Sequence, residues 1–124
     1  MTYREAEEYI HSFTRFGSQL GLGRIRALLH RIGDPQESLH FVHIAGTNGK
    51  GSTTKMLASI LEQAGYLVGM YVSPFVVEFR ERFQVNGEMI GKADFTALVE
   101  EIAPHVKALA EQGQFVTEFE MVTA

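Results

Sequence analysis

Apolar side chains recur at helical spacing in four stretches of the chain, which predicts four amphipathic helices. The first covers about residues 2–16, and the spacing of Thr2 and Glu5 at its start is that of a capping box. The second and third end at Gly33 and Gly65, since glycine commonly follows the last helical turn. The apolar positions that define the four stretches are Ala6, Tyr9, Ile10 and Phe13; Ile25, Leu28, Leu29 and Ile32; Met56, Leu57, Ile60, Leu61 and Ala64; and Phe95, Leu98, Val99, Ile102, Val106 and Leu109.

The fourth helical stretch contains Pro104, which predicts a kink or a broken first turn at that position. Residues 117–124 have the pattern of a further helix that opens at Thr117 and is not finished. Because no glycine or other C-cap follows, we expect the chain to be the N-terminal portion of a larger protein. Between the first two helices, the glycine-rich residues 17–23 predict a flexible loop.

Two uninterrupted apolar stretches, residues 41–45 and 67–72, predict strands that are buried on both faces. The third helix lies between them, so strand, glycine loop, helix and strand follow one another within about 30 residues. This order predicts a βαβ unit with parallel strands, in which His43 would be a hydrogen-bonded core histidine. Further along, Asn86-Gly87 between apolar positions predicts a tight hairpin turn.

Composition and charge exclude several classes of protein. The 124 residues include 15 acidic and 11 basic side chains, a net charge of −4, which argues against a broad nucleic-acid surface. The chain has no cysteine, which excludes disulfides and thiolate metal sites and suits the cytoplasm. No signal peptide or membrane span is visible. We therefore expect a small cytoplasmic α/β protein.

The candidate chemistry is concentrated in the loop GTNGKGS, residues 46–52, between the first predicted strand and the third helix. Its glycines allow backbone N–H groups to face a phosphate, and the following helix adds its positive end. Lys50 can reach the β- and γ-phosphates of ATP, and a hydroxyl at Ser52 or Thr53 can coordinate Mg²⁺. The predicted nucleotide-binding residues are Gly46, Thr47, Asn48, Gly49, Lys50, Gly51, Ser52 and Thr53, with Lys50 also predicted to be catalytic.

The spacing differs from that of the usual phosphate-binding loop. Ile44 stands where the first glycine of that pattern is expected, and Gly51 separates Lys50 from Ser52. The competing interpretation is a glycine-rich turn with a surface lysine. We favour phosphate binding because chance rarely places this glycine and lysine pattern between a strand and a helix.

At GTNGKGS the sequence resembles the Mur ligase superfamily of ATP-dependent amide ligases. Three further stretches, residues 20–25, 73–87 and 117–120, resemble the folylpolyglutamate synthase and dihydrofolate synthase branch of that superfamily. The resemblance implies a P-loop NTPase-like parallel sheet flanked by helices. Residues 1–124 would be the N-terminal part of the ATP-binding domain, without the C-terminal ligase domain.

The resemblance also implies a reaction. ATP phosphorylates the carboxylate of a folate or of dihydropteroate, and the amine of L-glutamate attacks the acyl phosphate to form an amide. The implied cofactors are ATP and Mg²⁺, and the full-length protein would be a monomer with neither nucleic-acid nor membrane partners. The family's third metal ligand and its carbamylated lysine cannot be placed here, so the chain as it stands would lack a complete catalytic site.

By the same resemblance, Ser52, Ser73 and Glu120 would bind the metal. Glu120 has an alternative role, because Thr117 and Glu120 also have the spacing of a capping box. Ser73 precedes a proline and is equally typical of a turn.

The resemblance further places residues of two segments at the pterin or folate site. An alternative role for the glycine loop at residues 20–23 is only to connect two helices. The alternative for residues 80–82, close in sequence to Phe75, is a solvated charge run. The predicted substrate-binding residues are Gln19, Leu20, Gly21, Leu22, Phe75 and Arg82.

Two other functions remain open, and so does a third interpretation, a non-catalytic remnant that keeps the fold but has lost activity. A different Mur-type ligase, acting on a peptidoglycan precursor or another acid, would carry the same loop. A P-loop kinase or nucleotide-driven switch needs only the loop, although its lysine is normally followed directly by Ser or Thr.

Overall fold

The structure is a computed structural model that describes the whole chain, Met1–Ala124. It divides into two compact units, one of residues 1–40 with 93–124 and the other of residues 41–92. None of its helices combines the length and the apolar character needed to cross a bilayer. In chain order the elements are α1 (Tyr3–Ser12), α2 (Gly23–Arg31), α3 (Lys50–Gln63), β1 (Gly69–Tyr71), β2 (Phe83–Val85), β3 (Glu88–Met89), α4 (Lys92–Glu111) and α5 (Glu118–Thr123).

The first unit is helical, and α1 and α2 both contact α5. The capping box at the start of α1 is confirmed: the Glu5 N–H donates to Thr2 Oγ1 at 3.2 Å, and the Thr2 N–H donates to Glu5 Oε2 at 2.6 Å. The α-helix is shorter than predicted, because residues 13–16 tighten into a 3₁₀ turn. The most buried apolar side chains of the unit are Ala6, Leu28, Val106, Leu109 and Val116.

Helix α4 runs through Pro104 without interruption, so the prediction of a broken first turn there is wrong. The helix begins at Lys92, which places the proline in its interior. Its apolar side chains, including Phe95, Val99 and Val106, are buried. That packing stabilises the helix and offsets the loss of the backbone hydrogen bond that Pro104 cannot donate.

The short helix α5 is fixed to α2 by a buried ion pair. Nε and Nη2 of Arg24 donate to the two carboxylate oxygens of Glu120 at 3.1 and 2.9 Å. Glu120 also completes the predicted capping box, since the Thr117 N–H donates to its Oε2 at 2.9 Å. The side chains of Arg24 and Glu120 are only 20% and 7% exposed. A carboxylate buried to this extent needs a charged partner, and Arg24 supplies it.

The second unit holds α3 and a small antiparallel sheet with the strand order β1-β2-β3. Gly69 pairs with Val85, and Tyr71 pairs with Phe83. The predicted end of α3 is confirmed, because Gly65 follows the helix with φ 95°.

The hairpin between β2 and β3 is confirmed at Asn86-Gly87. Both residues have positive φ, 48° and 79°, as a two-residue turn of type I′ requires. The Asn86 side chain also extends the sheet, since its Oδ1 accepts the Val68 N–H at 2.9 Å while the Asn86 N–H donates to the Val68 carbonyl at 2.9 Å.

The predicted parallel βαβ unit is not found. Residues 41–45 form no strand, Phe41 and Val42 are 71% and 68% exposed, and His43 is exposed rather than in a core. The second predicted strand shortens to β1, whose partner is antiparallel. A strand buried on both faces needs a hydrogen-bonded neighbour, and none of residues 1–124 pairs with residues 41–45. Since no layer covers it, the apolar face of α3 around Met56 and Ile60 is exposed as well.

The hairpin turn generates a first prediction. Gly87→Ala should lower the free energy of unfolding by about 1 kcal/mol, because an L side chain is strained at this positive φ. Space is not the obstacle, since a Cβ there would meet only side-chain atoms, at 3.7 Å. Gly69→Ala is the matched control, because Gly69 has no positive φ and open space around it. Equal midpoints for the two variants in urea denaturation would contradict this account.

The buried ion pair generates a second prediction. Arg24→Met should lower the free energy of unfolding by about 3 kcal/mol, because it leaves the Glu120 carboxylate buried without a cation. Arg26→Met removes the same charge from an exposed position of the same helix and should be close to neutral. The comparison is made by denaturant unfolding, and a similar loss in both variants would show that the pair does not hold α5.

Candidate functional site

The loop predicted to bind phosphate is curled rather than extended. Residues 47–49 are a series of bends, and Gly49 adopts the left-handed conformation with φ 76° and ψ 7° as the N-cap of α3. Glycine adopts this conformation without steric cost. The helix therefore begins at Lys50, slightly before the predicted start near Ser52.

The first turn of α3 carries backbone donors with no acceptor in the chain. The first bond of the helix is from the Thr53 N–H to the Gly49 carbonyl at 2.9 Å. The N–H groups of Lys50, Gly51 and Ser52 precede that bond and have no hydrogen-bond partner. Free N–H groups at the positive end of a helix are the elements of an anion site.

The Lys50 side chain folds back over this loop and is exposed. Its Nζ donates to the Gly46 carbonyl at 2.5 Å and lies 3.4 Å from the Thr47 carbonyl. The ammonium group is thus held on the loop itself. The structure brings the predicted cation and the free N–H groups together on one short segment.

Two of the three predicted metal ligands are serine hydroxyls in the second unit. Ser52 lies in the first turn of α3, and Ser73 follows β1 directly before Pro74. Both residues are exposed, and neither hydroxyl is used in a hydrogen bond within the chain. Hard oxygen donors of this kind fit Mg²⁺, which usually keeps several waters and takes few protein ligands. The chain has no cluster of three or more His, Asp or Glu side chains that could hold a metal alone.

The third predicted metal ligand, Glu120, lies in the first unit. Both of its oxygens accept hydrogen bonds from Arg24, and one also accepts the Thr117 N–H. The capping role, left open by the sequence, is therefore confirmed. Its role as a metal ligand stays a prediction, and it requires Arg24 to share or release the carboxylate.

The predicted substrate loop at residues 19–22 is exposed, and Leu20 is exposed completely. Gly21 has φ 107°, a conformation that favours glycine. The Gln19 carbonyl accepts from Nη2 of Arg24 at 3.1 Å, and the same guanidinium binds Glu120. Arg24 therefore connects the predicted substrate loop to the predicted metal ligand. Sequence reasoning missed this role, although Arg24 lies within the LGLGRI stretch that carries the resemblance.

Phe75 and Arg82, the other predicted substrate residues, meet on the buried ring of Phe79. The Phe75 ring packs edge-on against Phe79 at 5.6 Å between centroids, and Cζ of Arg82 lies 5.3 Å from the Phe79 centroid. Arg82 also lies over Tyr71 and donates from Nη2 to its hydroxyl at 2.8 Å. Its Nε is buried without a partner. The two residues form one aromatic and cationic cluster.

Residues 80–82 are not a solvated charge run, so that alternative is wrong. The side chain of Arg80 is 12% exposed and pairs with Glu78, with Nη2 2.7 Å from Oε1. Glu81 binds backbone N–H groups of its own loop. Sequence reasoning missed Glu81, because the N–H groups that donate to it lie in a loop whose path no periodic pattern describes.

Comparison with known proteins places this geometry in context. No protein-family model matches the chain. The chain is 47% identical over 124 residues to a dihydrofolate synthase/folylpolyglutamate synthase of Bacillus subtilis, covering 98% of this chain and 29% of that protein. The solved folylpolyglutamate synthetase from Lactobacillus casei matches with a TM-score of 0.91 at 40% identity, covering 99% of this chain and 31% of that one. An FPGS complex with AMPPCP and folate matches with a TM-score of 0.88 at 39% identity over 99% of this chain and 30% of that one.

The chain thus spans less than a third of the length of these relatives. Within that span, the sequence alignment covers 98% of this chain and the structural match covers 99% of it. An α/β fold that contains helices and a small sheet is shared with the solved structures. By sequence and by structure, this chain belongs to the folylpolyglutamate synthase and dihydrofolate synthase family.

Proposed function

We propose that the protein carrying this chain is an ATP-dependent ligase that joins L-glutamate to a folate or to dihydropteroate and acts as a monomer. Residues 1–124 would supply the N-terminal part of its ATP-binding domain. The observation that carries the proposal is the start of α3, where the free N–H groups and Lys50 meet. The relatives support it, since they are named for this reaction and one solved relative holds AMPPCP and folate.

The loop suits the polyphosphate of ATP for electrostatic reasons. The N–H groups of Lys50, Gly51 and Ser52 offer hydrogen bonds to phosphate oxygens without competing acceptors. The ammonium of Lys50 rests on the Gly46 and Thr47 carbonyls, which are weaker acceptors than a phosphate. On nucleotide binding we expect Lys50 to move from these carbonyls to the phosphates.

Mg²⁺ would be held by the hydroxyls of Ser52 and Ser73, with Glu120 as the acidic ligand. When bound, it supplies positive charge that neutralises the transferring phosphoryl group. The ion pair with Arg24 holds the Glu120 carboxylate in place in the meantime.

The acid substrate would contact residues 19–22 and the cluster of Phe75 and Arg82. A flat aromatic ring system suits the phenylalanine, and a carboxylate suits the arginine. ATP would transfer its γ-phosphoryl group to the carboxylate of this acid. The amine of glutamate would then attack the acyl phosphate, so that an amide forms and inorganic phosphate leaves.

The finer fold is part of the same proposal. In the full-length protein we expect residues 41–45 to become a strand of a parallel, P-loop NTPase-like sheet. Their apolar and exposed side chains support this, since they are suited to burial and no neighbour covers them here.

The reaction itself is the next prediction. The full-length protein should release phosphate from ATP only when both a folate-type acid and glutamate are present, because the acyl phosphate needs an amine acceptor. A coupled phosphate assay with each substrate omitted in turn measures this. Phosphate transfer without a glutamate requirement would indicate a kinase, and activity with only a peptidoglycan-type acid would indicate another Mur-type ligase.

Lys50→Ala should lower kcat about a hundredfold or more while the protein stays folded, because it removes a charge that faces the transferring phosphate. Lys55→Ala is the matched control, since Lys55 is an exposed lysine of the same helix. Phosphate release and circular dichroism are measured for both. Wild-type turnover in Lys50→Ala would remove Lys50 from the catalytic role.

A further inference from the structure

The loop that precedes the 3₁₀ turn at residues 79–82 is wrapped around a single carboxylate. Oε2 of Glu81 accepts the Val76 N–H at 2.9 Å. Oε1 of Glu81 accepts the N–H groups of Val77 and Glu78 at 2.9 and 2.7 Å. Three consecutive backbone amides thus donate to the carboxylate of Glu81.

These bonds favour the ionised carboxylate. The pKa of Glu81 lies below its ordinary value because the backbone N–H groups of Val76, Glu78 and Val77 donate to it, against a smaller opposing effect of desolvation. The neighbouring charges have partners of their own: Arg80 donates from Nε to Glu78 at 2.8 Å and from Nη1 to the Ile90 carbonyl at 2.6 Å.

As a result, the loop keeps apolar side chains exposed to solvent. Val76 and Val77 are 87% and 86% exposed, although valine is usually buried. Their N–H groups point to Glu81, so the backbone between Phe75 and Glu78 is fixed while the side chains remain free. Phe75 is held from the other side by its contact with Phe79.

We propose that Glu81 is a positioning residue for the acid substrate: its carboxylate holds residues 76–78 so that Phe75, Val76 and Val77 present a rigid apolar surface next to Arg82. The substrate half of this inference rests on the proposed function. A flat aromatic acid would lie on the apolar surface, and its carboxylate would lie near the guanidinium. Because the loop is already ordered before the substrate binds, less conformational entropy is lost on binding.

Glu81→Gln tests the proposal with little change in shape. A glutamine has one NH₂ group where Glu81 has a second oxygen. In either orientation of the amide, this NH₂ group faces at least one backbone N–H, and two donors cannot form a hydrogen bond. At least one charge-assisted hydrogen bond is therefore lost. In the full-length protein we expect KM for the folate-type acid to rise roughly tenfold, the effect of one lost bond to a charged group. KM for ATP and kcat should change little.

Glu88→Gln is the matched control, since Glu88 is exposed on β3 and its side chain has no partner. It should leave all three constants unchanged. Glu81→Asp keeps the charge on a shorter side chain, and we expect it to raise KM for the acid less than Glu81→Gln does. It also keeps the test informative if the glutamine variant does not fold.

Amide hydrogen exchange of Val76, Val77 and Glu78 measures the positioning itself. Exchange should accelerate in Glu81→Gln and not in Glu88→Gln. Unchanged exchange in a folded Glu81→Gln, or an unchanged KM for the acid, overturns the inference. A wild-type protein without folate-dependent turnover overturns the proposed function and the substrate half with it, whereas the exchange result still decides whether Glu81 holds the loop.

Discussion

The first turn of α3 leaves the N–H groups of Lys50, Gly51 and Ser52 without acceptors, and the candidate site is built around this constraint. A helix must begin with free donors, but side-chain caps usually satisfy some of them, as Thr2 does for α1 and Thr117 for α5. Here the N-cap is a glycine with no side chain to offer. The unmet donors and the nearby ammonium of Lys50 give the loop a local positive potential in a chain whose net charge is −4.

Two other backbone segments are held in a different way, by a carboxylate that the chain supplies itself. Glu120 accepts the Thr117 N–H at the start of α5 and pairs with Arg24. Glu81 accepts hydrogen bonds from the amides of residues 76–78. Arg24 also binds the Gln19 carbonyl, so a single guanidinium fixes both α5 and the predicted substrate loop. The segments predicted to touch the substrates are thus irregular in backbone, and each is held at specific atoms by a charged side chain.

The sequence predicts best those parts of the fold that depend on residues close to one another along the chain. The amphipathic periods of α1, α2 and α3, both threonine capping boxes and the Asn86-Gly87 turn depend on residues a few positions apart, and all are present. The strand at residues 41–45 depends on a partner strand, which no local pattern guarantees and which residues 1–124 do not provide. Arg24 and Glu81 were missed for a related reason. The partner of Arg24 lies 96 positions away, and the acceptor role of Glu81 depends on the path of an irregular loop.

The central claim is that the amides at the start of α3 bind the phosphates of a nucleotide. Backbone amide chemical shifts of the isotopically labelled full-length protein, followed by NMR during titration with a non-hydrolysable ATP analogue, test it most directly. The account predicts large and saturable shifts of the Lys50, Gly51 and Ser52 amides, with the Lys55 amide on the same helix shifting less. Saturable binding that leaves those three amides unmoved would contradict it.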